Sequence, residues 1–187
     1  LFGHEVSSTA TAGIALFPGD ADNAAELLKN ADAAMHFAKH NDSGGYGFYT
    51  PAINEQARLK LSLEADLRRA LERDELLAHY QPKVDRNGRI AGAELLLRWR
   101  HPERGLVAPN TFIPLAEESG LIVPMSEWII DTAATQLRRW LDDGHRDMGM
   151  AVNLSPLHFR HPELLNTVSN AIGRHRLPKN ALELELT

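Results

Sequence analysis

Three oxygen-bearing residues stand within or at the ends of segments that read as β-strands. They are Glu94 in Ala93-Glu94-Leu95-Leu96, Asn153 in Val152-Asn153-Leu154-Ser155 and Glu185 in Leu184-Glu185-Leu186-Thr187. Carboxylate and amide oxygens are hard donors, so the three together would suit Mg²⁺ or Mn²⁺. Asn153 and Glu185 are roughly 30 residues apart, about one strand-helix unit, and Glu94 precedes Asn153 by roughly 60, room for two helices. In a parallel barrel the C-terminal strand ends converge on one mouth, where three such residues would meet. Any one of them alone would read as an ordinary polar residue at a strand end. Other groups are weaker. His36 and His40 are spaced to share a helix face and could offer two imidazoles to Zn²⁺, but no Glu stands at the metalloprotease position and no third ligand is evident, so they read as a solvated pair. His158 and His161 flank an expected helix start and read as capping or surface residues. Trp99, Trp128 and Trp140 have apolar neighbours and read as packing residues, not as a platform for bases.

The elements that would position these residues follow from periodicity. Val6 to Phe17 reads as a buried strand broken by Pro18-Gly19-Asp20. Leu27, Leu28, Ala31, Ala34, Met35 and Ala38 recur at helical spacing until Asp42-Ser43-Gly44-Gly45, and Tyr46 to Tyr49 reads as a short closing strand. From Ala52 to Arg73 the stripe Leu59, Leu63, Leu67, Ala70 and Leu71 predicts a connector helix, supported by the pair Glu64 and Arg68. Beyond it, Leu76 to Val84, a turn at Asp85-Arg86-Asn87-Gly88 and Arg89 to Trp99 predict a hairpin. A short helix capped by Asn110 or Thr111, with Pro114 in its first turn, should run through Glu118. A helix capped by Ser126 should bury Ile129, Ile130, Ala133, Ala134, Leu137, Trp140 and Leu141 and stop near Gly144. Met148 to Leu154 is a strand, Pro162 starts a helix that reaches about Gly173, and Ala181 to Leu186 is a final strand. Strands alternating with helices imply an α/β fold with a parallel sheet, in a barrel or a doubly wound form.

Bulk properties bound the function. The 187 residues carry 20 Lys and Arg against 25 Asp and Glu, a net charge of −5, which argues against a duplex nucleic-acid partner. With 43% hydrophobic residues the chain can fill a core. Absence of Cys excludes disulfides and thiolate metal sites and fits a reducing, cytoplasmic setting. No apolar run approaches the roughly 18 residues of a membrane span, so this segment is expected to make no membrane contact, although an upstream segment could anchor a longer parent. The residues from Leu1 to Glu5 do not resemble a signal peptide.

The local wording adds a resemblance. Tyr80-Gln81-Pro82, the run from Gly92 to Pro102, Phe112-Ile113-Pro114-Leu115-Ala116-Glu117, Val152-Asn153-Leu154-Ser155 and Glu183-Leu184-Glu185-Leu186-Thr187 resemble, in order and spacing, the first half of the EAL phosphodiesterase family over residues 76 to 187. That family folds as a modified TIM barrel and hydrolyses cyclic di-GMP to the linear dinucleotide with two divalent cations, Mg²⁺ or Mn²⁺. The resemblance implies that Glu94, Asn153 and Glu185 are metal ligands and that Gln81, Leu96 and Arg98 hold the cyclic dinucleotide. The eponymous Glu-Ala-Leu is here Glu94-Leu95-Leu96, and strand alternation points Leu95 away from its neighbours, so the exchange should touch packing more than ligation. The family's paired aspartates, lysine, later acidic ligands and general base are expected beyond Thr187, so these residues alone should hydrolyse nothing.

Residues 1 to 50 resemble the end of a GGDEF diguanylate cyclase domain through the segments Thr11 to Pro18 and Ala31 to Lys39. Lys39 matches a lysine near the nucleotide phosphates of active cyclases, but Asp42-Ser43-Gly44 replaces the usual Gly-Arg-Asn and weakens an anion site. It reads as part of a degenerate cyclase site or as a solvated helix residue. The resulting expectation is a partial GGDEF tail (1 to 50), a connector helix (51 to 75) and the first half of an EAL barrel (76 to 187). The parent would be a cyclic-di-GMP phosphodiesterase, homodimeric through the EAL domain or the connector helix. The rival reading is an inactive EAL domain serving as a cyclic-di-GMP receptor.

Overall fold

A computed structural model describes residues 9–40 and 45–186. The beginning of the strand expected from Val6, the Asp42-Ser43-Gly44 replacement and Thr187 lie outside the described residues. The chain divides into two compact units, Leu1–Ser62 and Leu63–Thr187.

In the first unit β1 (Ala12–Ile14) and β2 (Tyr46–Phe48) pair in parallel, and α1 (Ala24–His40) makes the crossover. Two glycines let that helix lie on the strand backbones. A Cβ at Gly13 would fall 1.8 Å from the Ala31 carbonyl oxygen, and one at Gly47 would fall 2.9 Å from the Ala38 Cβ. The strand is shorter than its apolar run because the chain leaves the sheet for a turn, where the Leu16 amide donates to the Asp20 carboxylate at 2.7 Å. Buried Asn30 closes this turn by donating to the Asp20 carbonyl at 2.7 Å.

Helix α2 (Pro51–Ala70) runs through the boundary between the units. It stops short of Arg73 because the Glu72 and Arg73 amides turn back to the Arg69 and Ala70 carbonyls and Asp74 adopts a left-handed φ of 53°. Of its apolar stripe, Leu63, Leu67 and Ala70 are buried in the second unit's own core, while Leu59 is exposed.

The second unit opens with β3 (Leu76–Val84) and β4 (Ile90–His101), an antiparallel hairpin. Asp85 organises its turn, its carboxylate accepting from the Asn87 and Arg89 amides at 2.7 and 3.0 Å, which holds its pKa below the ordinary value. A short strand, β5 (Gly105–Val107), folds back on the end of β4. Then come α3 (Pro109–Glu118), α4 (Ile122–Asp142), β6 (Gly149–Leu154), α5 (Pro156–Phe159), α6 (Leu164–Arg174) and β7 (Leu182–Leu186). Among the described residues the sheet order is β3-β4-β6-β7, with β4, β6 and β7 parallel.

Several local expectations fail at helix ends. Pro109 takes the first turn of α3 behind Ala108, so neither Asn110 nor Thr111 caps it, and Pro114 lies inside the helix. Ser126 is also internal: α4 starts four residues earlier, and the buried Ser126 hydroxyl donates to the Ile122 carbonyl at 2.7 Å. Pro162 lies in a turn before α6, and α5, capped by the Ser155 side chain, went unrecognised in the sequence. His158 is fully buried within α5 with both ring nitrogens unpartnered, which overturns its reading as a cap or surface residue.

The inner face of α4 is as expected. Ile129, Ile130, Ala133, Ala134 and Leu137 are buried and Trp140 and Leu141 partly so, packed with Met150, Val152 and Leu154 of β6 and fully buried Trp99 of β4. No helix of the described residues is long and apolar enough to cross a membrane.

Candidate functional site

One face of the sheet is packed against this core. The other carries the polar residues. Along β4 the odd positions Ala93, Leu95, Leu97 and Trp99 are buried, whereas Glu94, Leu96 and Arg98 are half-buried on the opposite side. Register carries this alternation across four strands: Gln81 stands opposite Glu94, Glu94 opposite Ala151, and Ala151 opposite Glu183. Asn153 and Glu185 are paired one step further along β6 and β7. The face therefore presents Gln81, Glu94, Asn153 and Glu185 together, although they come from distant segments.

Their side chains engage one another. The Asn153 amide donates to Glu94 Oε1 at 2.6 Å, which orients both groups and leaves Glu94 Oε2 and the Asn153 carbonyl oxygen for other partners. Glu185 receives a cation from the same chain: Lys83 Nζ donates to its Oε1 at 2.8 Å and to Glu183 Oε2 at 3.2 Å. The Glu185 carboxylate, and then that of Glu183, raise the Lys83 pKa above its ordinary value.

The predicted dinucleotide contacts divide. Leu96 and Arg98 line a cavity of about 280 Å³ at the strand ends together with Asn153, Ser155, Glu117 and Ile113, and Leu95 and Leu97 of the packed face also border it. Gln81 is not part of that lining and joins the site through its cross-strand position beside Glu94. The Arg98 guanidinium donates to the Leu97 carbonyl at 2.9 Å. At the floor, the Ser155 hydroxyl donates to Glu117 Oε1 at 2.6 Å and accepts from the Leu157 amide at 3.2 Å, tying α3 to the end of β6. A larger cavity of about 480 Å³, lined by Tyr80, Pro82, Trp140 and Arg146 among others, contains none of the predicted site residues. Tyr80 and Ala93 of its lining alternate out of phase with Glu94, so it belongs to the other side of the sheet.

The donor set fits a hard divalent cation in its chemistry: two carboxylates and an amide on adjacent parallel strands, with an ammonium already drawn to one of them. Among the described residues no group of three or more His, Cys, Asp and Glu could hold a metal. Elsewhere, His36 and His40 are a solvated helical pair as expected, with His40 bonded to the His36 carbonyl at 2.8 Å. Sequence reading missed Lys83, Glu183 and Glu117. For the first two the signal was available in the period-two spacing from Gln81 and Glu185; for Glu117 it was not, because a helix supplies it.

Known proteins resemble the chain over nearly its whole length. MucR of Pseudomonas aeruginosa, a bifunctional diguanylate cyclase/cyclic di-GMP phosphodiesterase, is 51% identical over 185 residues, covering 98% of this chain and 27% of MucR. The cyclic di-GMP phosphodiesterase PdeR of Escherichia coli is 36% identical over 183 residues, covering 98% of this chain and 28% of PdeR. The chain thus spans about a quarter of the length of these curated relatives. A solved complex of the PaMucR phosphodiesterase with c-di-GMP superposes with a TM-score of 0.64 at 53% identity, covering 66% of this chain and 50% of that one. Residues 64–187 match the family described as the EAL domain, and the chain belongs to that family.

Proposed function

We propose that this chain supplies the opening half of a cyclic-di-GMP phosphodiesterase barrel, with residues 76 to 187 as the EAL half, residues 51 to 75 as a connector and residues 1 to 50 as the tail of a GGDEF-like domain. The observation that carries the reading is the Asn153–Glu94 hydrogen bond on the sheet face where Glu185 already attracts a cation. Identity to two named cyclic-di-GMP phosphodiesterases over nearly the whole chain supports it.

In this reading Glu94, Asn153 and Glu185 are the chain's share of the ligands for Mg²⁺ or Mn²⁺. Divalent cations held there would lower the pKa of an attacking water and draw charge from the phosphoryl oxygens. The chain's own side chains bind and orient. Arg98, on the same face, offers a charge-assisted hydrogen bond to a phosphate. Leu96 gives an apolar wall to the cavity that Arg98 lines. Gln81, opposite Glu94, offers both a donor and an acceptor to the dinucleotide. Hydrolysis joins the water oxygen to phosphorus and breaks one ester bond to ribose, whose oxygen leaves with a proton, so the ring opens to the linear dinucleotide.

The test is Mn²⁺-dependent conversion of cyclic di-GMP to the linear dinucleotide by a full-length protein carrying this chain. Glu94→Gln keeps side-chain size but removes a ligand charge, and turnover should fall on the order of a hundredfold or more. Binding of cyclic di-GMP without turnover in the unaltered protein would replace the enzyme with the receptor reading. Equal turnover of Glu94→Gln at every Mn²⁺ concentration would remove Glu94 from the site.

A further inference from the structure

Lys83 was outside every expectation, yet it makes the longest reach on the candidate face. It starts on β3 and ends against β7, with β4 and β6 between them. In a flat sheet those strands would stand roughly 14 Å apart at the usual spacing, close to the combined span of extended Lys and Glu side chains, so the bridge needs a clear lane over the intervening strands. The sequence clears the row from which it starts. Lys83 is paired with Gly92, and Gly92 with Gly149, so no side chain rises from either central strand in the row that the Lys83 stem leaves. Gly92 could not be otherwise: a Cβ there would fall 2.7 Å from the Gly149 carbonyl oxygen.

The ammonium lands between two carboxylates on one strand face, Glu183 and Glu185. Without it these like charges would face each other two residues apart. With it, Glu185 Oε1 already accepts a hydrogen bond.

We infer that Lys83 is a built-in counter-cation for Glu185, which a divalent ion must displace from that carboxylate as it binds. The inference rests on the proposed metal-binding role of Glu185. A divalent ion and an ammonium on the same carboxylate repel, and of the two the lysine can leave, because its stem is flexible and side-chain exposure of 44% leaves room to swing. Glu183, further from the Asn153–Glu185 pair, can keep the ammonium once Glu185 is surrendered. Lys83 thus offsets part of the negative charge on this face and weakens its cation affinity.

The experiment is Mn²⁺ titration by calorimetry on a full-length protein carrying this chain, with circular dichroism to confirm folding of each variant. Lys83→Met should bind Mn²⁺ about two- to fivefold more tightly, the range for removing one exposed competing ion pair. Lys179→Met, the same charge change at an exposed residue, should leave the affinity unchanged. Mn²⁺ affinity of Lys83→Met equal to or weaker than that of the unaltered protein would overturn the inference, as would equal tightening by Lys179→Met. Glu185→Gln separates this from the reading beneath it. If Glu185→Gln weakens Mn²⁺ binding while Lys83→Met fails to tighten it, only the counter-cation role falls; if Glu185→Gln binds Mn²⁺ as well as the unaltered protein, the ligand assignment falls with it.

Discussion

The two faces of β4 meet different surroundings although their residues alternate along one strand. Ala93, Leu95, Leu97 and Trp99 are 3, 2, 8 and 0% exposed and pack into a core built with α3, α4 and β6. Glu94, Leu96 and Arg98 stand between them on a face shared with Gln81, Lys83, Asn153 and Glu185. The first set stabilises the fold by removing apolar surface from water, and the second is the one proposed to hold ions and phosphate. Substitutions one residue apart should therefore separate stability from chemistry, which gives several ways to break the contrast.

The largest effect belongs to the buried face. Trp99→Ala empties a fully buried site and strips the partner from the Glu75 carboxylate, which accepts from the indole N–H at 3.2 Å. It should cost about 3–5 kcal/mol in urea unfolding. A loss below about 1 kcal/mol would mean that the core collapses around the gap and that the face is less committed than its burial indicates.

Leu95→Ala restores the family's usual Glu-Ala-Leu wording, and the contrast is sharpest there. Burial of Leu95 predicts a loss of about 2–5 kcal/mol, while turnover per folded molecule should stay within a few-fold because the side chain points away from Glu94. Stability by urea titration and turnover at saturating Mn²⁺ check the two halves; a collapse of turnover in fully folded protein would contradict the separation of faces.

Arg98→Ala probes the open face. Stability should move by no more than about 0.5 kcal/mol, as for a partly solvated residue whose neighbours in the sheet remain packed. Affinity for cyclic di-GMP should fall about tenfold or more, the usual scale for a lost charge-assisted hydrogen bond. Fluorescence or calorimetric titration with the dinucleotide measures this, and undiminished affinity would take Arg98 out of the binding surface.

The last effect is a pH slope from a residue away from both faces. Burial pushes the His158 pKa down, the charge of His161 lowers it further, and Glu127 opposes both. The unfolded chain therefore binds a proton near pH 6.5 that the folded chain refuses, so stability is fully present above that value and is lost as the pH falls. The slope should reach at most about 1.4 kcal/mol per pH unit for this one proton. His158→Phe, of similar shape and without unpartnered nitrogens, should flatten urea midpoints measured between about pH 7 and 5. An unchanged slope would show that other groups govern the acid response.

Period-two alternation and helical stripes in the sequence determined most of the strands, the inner face of α4, the hairpin at Asp85 and the direction of Leu95, because these follow from local geometry. The same local chemistry marked Glu94, Asn153 and Glu185 as hard donors. Helix starts were poorly legible: Ser126 has the chemistry of a cap but is buried inside α4, and Pro109, not Pro114, takes the first turn of α3, since packing against the core decides how far a helix extends. Only the tertiary structure decided which residues meet. Strand order β3-β4-β6-β7 sets Glu94 beside Asn153 and lets Lys83 cross to Glu185, and Leu63, Leu67 and Ala70 of α2 join the second unit's core. The physical reason is that cross-strand register and helix docking depend on contacts between segments tens of residues apart, whereas periodicity in the sequence reports only which side of its own element a residue occupies.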